Sequence, residues 1–165
     1  MHKLVRIGLA VFVTIVATAS AQAGKPKSVL EAFSGQVLIS TAPLKPAGET
    51  QEEIVEAFRK DSVQAVSPID ASAEELSWSF QFTAFLDKAP KLTELSLDVY
   101  AADGDKRYIT SKRMMGVDPK IRILAGDMSI NAEDGVKRGG KYRLVLTGQV
   151  GNREVTFASA TLTLR

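Results

Sequence analysis

From Leu76 onward, apolar residues recur at every second position. That period admits strands and excludes an amphipathic helix. Leu76, Trp78, Phe80, Phe82, Ala84 and Leu86 alternate with Ser77, Ser79, Gln81, Thr83 and Phe85. The row Trp78, Phe80 and Phe82 reads as core rather than as a sugar platform. Phe85 falls on the opposite face, where a helix or an interface would meet it. Leu92 to Ala101 alternates in the same way, with Leu95, Leu97 and Val99 set against Glu94, Ser96 and Asp98. Asp103-Gly104 is a hairpin-turn signal, since both residues tolerate positive φ. Arg107 to Met115 is the return strand.

Lys120 to Leu124 and Met128 to Ile130 read as two short strands interrupted at Gly126, followed by a polar connection from Asn131 to Gly140. Tyr142 to Val150 and Glu154 to Leu164 form a last hairpin around Gly151-Asn152. With Gly35 to Thr41 at the front, the total is about seven strands punctuated roughly every 8 to 12 residues, the spacing of an antiparallel sandwich.

One segment departs from the two-residue period. Thr50-Gln51-Glu52-Glu53 is a capping box, in which hydroxyl and carboxylate satisfy each other's backbone donors. Ile54, Val55 and Phe58 follow at helical spacing, and Arg59 and Lys60 sit where the helix dipole is negative. A helix is predicted over 51–60. Residues 24–33 read as a loose leader.

The chain opens with His2, Lys3 and Arg6, an apolar run of thirteen residues from Ile7 to Ala19, and Ala21-Gln22-Ala23. This is the layout of a secretory signal peptide over 1–23, cleaved to leave one globular domain over 24–165. The run falls short of the roughly 20 residues a spanning helix needs, so no membrane span is expected after processing. A periplasmic or secreted bacterial protein is the expectation.

Processing would remove the only histidine, and the chain has no cysteine. Thiolate nucleophiles, disulfides, Cys-type zinc sites and Ser-His-Asp triads are therefore excluded. No catalytic, cofactor-binding or metal-ligating residues are assigned. Asp103 and Asp105, and the stretch Asp127, Asn131, Glu133 and Asp134, supply oxygens. Neither has the spacing of a calcium loop, and both read as solvated turns.

Gly140-Lys141-Tyr142-Arg143-Leu144 resembles the G-x-Y-x-apolar run that leads into the penultimate strand of the immunoglobulin-like superfamily. The resemblance covers roughly residues 76–165. It implies a β-sandwich in which the Tyr142 hydroxyl bonds back to upstream backbone. The chain departs from that pattern in lacking the cysteine pair and in placing a helix between its first two strands. The expected fold is thus all-β, mainly antiparallel: an immunoglobulin-like sandwich of about seven strands with one inserted helix. The alternative is an α+β fold with the helix packed on a curved antiparallel sheet.

Charge is unevenly spread. Residues 24–105 carry 7 Lys/Arg against 14 Asp/Glu, and residues 106–165 carry 12 against 5. The acidic half can neutralise the basic half, or the basic half can present an anion-binding side. Lys106, Arg107, Lys112, Arg113, Lys137 and Arg138 form the candidate interaction surface. On an edge strand such lysines also block unwanted pairing.

These features point to an exported, non-enzymatic binding or scaffolding module of the cell envelope. Its expected partner is an anionic surface polymer or a protein, with self-association between copies a further option and nucleic acid excluded by compartment. Two alternatives remain: a small carboxylate-dependent hydrolase, and a chaperone- or inhibitor-like module acting by strand addition. Mass spectrometry of the exported protein is expected to find Gly24 first, or Gln22 if the Ala19-Ser20-Ala21 site is used. A mature protein that still carries residues 1–23 would overturn the localisation.

Overall fold

The structure, a computed structural model, describes residues 28–103 and 107–165. The leader read over 1–23 lies outside the described residues, as do Gly104, Asp105 and Lys106.

Eight strands form one mixed sheet that curls into a nearly closed barrel. They are β1 Gln36–Ser40, β2 Ala65–Val66, β3 Ser77–Phe85, β4 Glu94–Ala101, β5 Tyr108–Met115, β6 Ile123–Asn131, β7 Lys141–Val150 and β8 Arg153–Leu164. The order is β5-β4-β7-β8-β1-β3-β6, with β2 attached to β8. Along the path every pairing is antiparallel except β8 with β1, which meet in parallel at a single registered pair, Gln36 with Ser159. The sheet is therefore a four-stranded ladder (β5-β4-β7-β8) and a three-stranded ladder (β1-β3-β6) joined by a narrow seam.

The period-two pattern explains the interior. Trp78, Phe80, Phe82, Ala84 and Leu86 point inward and meet Leu95, Leu97 and Val99 of β4, Leu144 and Leu146 of β7, and Leu162 and Leu164 of β8. The buried Trp78 indole donates from Nε1 to the Arg165 carbonyl at 3.1 Å, so its one polar atom is satisfied.

Phe85 faces the other way. It anchors a second cluster with Phe33 and Phe58, at ring-centroid distances of 5.2 and 6.1 Å. Phe33 belongs to α1 (Val29–Phe33), a short helix in the segment read as a loose leader, capped by the Ser28 side chain. Phe58 belongs to α2 (Gln51–Asp61), where both bonds of the Thr50–Glu53 capping box are made. Backbone donors of Glu49 and then Thr50 hold the Glu53 carboxyl below its ordinary value. Among the described residues there are thus two α-helices rather than one, and both pack on the outer side of the three-stranded ladder.

Three local departures have physical causes. β6 runs unbroken through Gly126, which pairs with Phe82. The Phe82 ring lies over that glycine, and a Cβ there would sit 2.9 Å from it. Gly126 is a space for a ring, not a strand end. In β8 the register shifts opposite Leu146/Thr147, so that Phe157 and Ala158 are both buried. This bulge turns Glu154 and Thr156 to the outer face. Finally, β2 is too short to show a period.

Tyr142 is 3% exposed, and its ring lies back over Gly140. Its hydroxyl accepts from the Lys137 backbone N–H at 2.8 Å. Tyr142→Phe leaves that donor unmatched and is expected to cost about 1–2 kcal/mol in denaturant melts. Tyr108→Phe, at an exposed site where the hydroxyl donates to Ser111, is expected to stay within about 0.5 kcal/mol. Equal effects would refute a structural role for the Tyr142 hydroxyl.

Candidate functional site

The outer face of the four-stranded ladder is built from the polar halves of alternating strands. Cross-strand pairing sets two rows there. Arg113, Ser96, Thr147 and Thr156 form one, and Ser111, Asp98, Val145 and Ser159 form the next. Asp98 lies on the side of β4 opposite to its core residues, yet it is only 6% exposed. Ser96 Oγ donates to Asp98 Oδ1 at 2.6 Å, and Thr147 Oγ1 donates to Asp98 Oδ2 at 2.7 Å. One hydroxyl on each oxygen offsets part of the cost of burying the charge.

This trio floors a cavity of about 420 Å³, with Glu94, Arg113 and Gln149 among its lining residues. Arg113 Nε meets Glu94 Oε1 at 3.1 Å. Glu154 also lines a second cavity of about 440 Å³, which contains Tyr100, Arg143 and Thr156. Ala101 lines that cavity and a third of about 500 Å³, which contains Arg107, Lys137 and Tyr142. The three adjoin along the ladder and round one end of it. Tyr100 packs edge-on against Tyr108 at 5.8 Å. Its phenol is pushed above the ordinary value, first by burial and then by the charge of Asp98.

Five of the six basic residues singled out from sequence lie among the described residues, and these five are spread over different parts of the surface. Arg107 and Lys137 share the end cavity, and Arg107 Nη2 reaches the Gly135 carbonyl at 3.4 Å. Arg138 Nη2 turns to the Ala71 carbonyl at 3.3 Å. Lys112 and Arg113, adjacent in β5, project from opposite faces. Arg113 lines the groove, whereas Lys112 crosses to β6, where Nζ donates to the Asp127 carbonyl at 2.8 Å and to its carboxylate at 3.0 Å. β5 and β6 are the free ends of the strand order, and this side chain spans the gap between them. Lys106 lies outside the described residues.

Asp98, Ser96 and Thr147 were not singled out. The available signal was a carboxylate in mid-strand, where Asp is depleted. The oxygen-rich stretch after β6 closes on itself, as Asn131 and Asp134 cap a single 3₁₀ turn, Ala132–Asp134. Among the described residues, no group of three or more His, Cys, Asp or Glu side chains is placed to hold a metal. Nor is any helix among them long and apolar enough to cross a membrane. No family model, curated protein or solved structure matches the chain.

The Lys112 ammonium, through its hydrogen bond and then its charge, holds the Asp127 carboxyl below its ordinary value of 3.8. A carboxyl depressed in the folded state adds stability that is present above the unfolded pKa and lost as pH falls through the folded one. Acid melts from about pH 5 downward are therefore expected to show a steeper fall for the parent than for Lys112→Met. Parallel curves would mean that the bridge does not contribute.

Proposed function

We propose that this protein is an exported, non-enzymatic binding module of the bacterial cell envelope, acting in the periplasm or outside the cell. The outer face of the β5-β4-β7-β8 ladder is its ligand site. The observation that carries this reading is the run of three adjoining cavities, floored at one end by the buried Asp98 and lined at the other by Arg107 and Lys137. Ligand sites favour concave surfaces with a few fixed polar groups. A run this long fits an extended polymer better than a compact metabolite. Arg107 and Lys137 at one end, with Arg143 between, supply the contacts for an anionic envelope polysaccharide.

The fold belongs in the same proposal: an immunoglobulin-like sandwich. Three features support it. The strand order separates into four-stranded and three-stranded ladders. β1 meets β8 in parallel. The Tyr142 hydroxyl ties down the loop before β7, in the manner of a tyrosine corner.

One observation favours a second reading, a carboxylate-dependent hydrolase, because Glu94, Asp98 and Glu154 line a single cavity. Against it, Glu94 is engaged by Arg113, and each oxygen of Asp98 already accepts from one hydroxyl, which favours a fixed charge over a proton carrier. Turnover of a bound polysaccharide that disappears in Asp98→Asn would establish the hydrolase.

The binding test uses dextran sulfate and neutral dextran. Retention on dextran sulfate is expected at low salt and is expected to vanish near 0.5 M, where exposed charges are screened within about 5 Å. Arg107→Glu with Lys137→Glu is expected to weaken retention while leaving stability within about 0.5 kcal/mol per site. Equal retention on both polymers would refute the anionic contact.

A further inference from the structure

The chemistry of the Asp98 cavity differs from that of the basic end. A carboxylate only accepts hydrogen bonds, and it has about four lone-pair sites. Two of these receive Ser96 and Thr147. The hydrogens of both hydroxyls are thereby turned onto Asp98, so their remaining lone pairs are left for the cavity. Arg113, the one cation lining this cavity, is paired to Glu94 at 3.1 Å. The floor thus offers acceptors and a negative charge, and the group that fits is rich in donors. A neutral side chain of similar volume could pack on this face without the cost of burying a charge, so local packing does not explain Asp98.

We propose that the Asp98 cavity is a subsite for a free amino-sugar unit of the ligand, with Asp98 taking the protonated amine. This rests on the reading of the ladder face as a polysaccharide site. An ammonium brings three donors and no acceptor, which complements Asp98, whereas an acetamide exchanges that charge for a neutral N–H and a carbonyl that Asp98 cannot match. A sugar ring suits the site better than a lysine side chain does. The cavity, about 420 Å³, adjoins a second of about 440 Å³ at Glu154, a continuation that suits successive rings of a saccharide chain.

The test is calorimetric titration at low salt with three probes: a β-1,4-linked glucosamine tetramer, its fully N-acetylated counterpart, and tetralysine. The glucosamine tetramer is expected to bind about tenfold or more tightly than the N-acetylated form, the scale of one charge-assisted hydrogen bond. Asp98→Asn is expected to abolish that preference. In the unmodified protein, backbone amide signals of Ser96, Asp98 and Thr147 are expected to shift on addition of the glucosamine tetramer. This readout holds even if the variant fails to fold. Equal binding of the two saccharides would overturn the amine assignment while leaving the ladder face as a polysaccharide site. Tetralysine binding as tightly as glucosamine would overturn the sugar class. Absence of binding by either saccharide would overturn the subsite, while the groove reading would stand or fall by retention on dextran sulfate.

Discussion

β3 is buried along the whole of its inner face and, at its Thr83–Phe85 end, on both faces, and the rest of the chain is arranged around that fact. Its inward row of Trp78, Phe80 and Phe82 forms the centre of the barrel interior, and Phe85 at its end forms the centre of the helical cluster. Each such side chain contributes about 1.5–3 kcal/mol on burial, so this strand supplies an outsized share of the apolar driving force. Its two edges pair with β1 and β6, and its Phe85 end is covered on the outer side by α1 and α2. Even Gly126 in β6 follows from β3, because the Phe82 ring occupies the volume a side chain there would need.

The parts legible from sequence are those decided within a few residues. Alternation marked β3, β4, β7 and β8 because their neighbours leave one face apolar and the other polar. The capping box marked α2 because Thr50 and Glu53 satisfy each other locally. What escaped depends on residues distant in the chain. Gly126 read as a break because the ring that fills its space is 44 positions away. α1 is five residues long and carries no readable period; it is held by Phe33 against Phe85 and Phe58. The bulge at Phe157 is visible only once β7 is alongside.

The site was less legible than the fold, for a related reason. Asp98 was placed correctly on the polar face of β4, but its burial there comes from the strands on either side. Lys112 and Arg113 are adjacent in sequence and looked equivalent, yet the pleat sends them to opposite faces. One became a clasp to Asp127 and the other a lining residue. A basic run in a strand is therefore two half-runs, and only the outward half is available to a ligand.

The joint between β1 and β8 carries a kinetic consequence. Gln36 and Ser159 meet near opposite ends of the described chain, and theirs is the only registered pair between the two ladders. The hairpins β4–β5 and β7–β8 close short loops, whereas this joint closes almost the whole chain. Closing a long loop is entropically uphill before any contact rewards it, and topologies dominated by such contacts fold slowly. The two ladders are thus expected to assemble as separate plates and to dock late, with Phe82 and Leu162 exposed until they do.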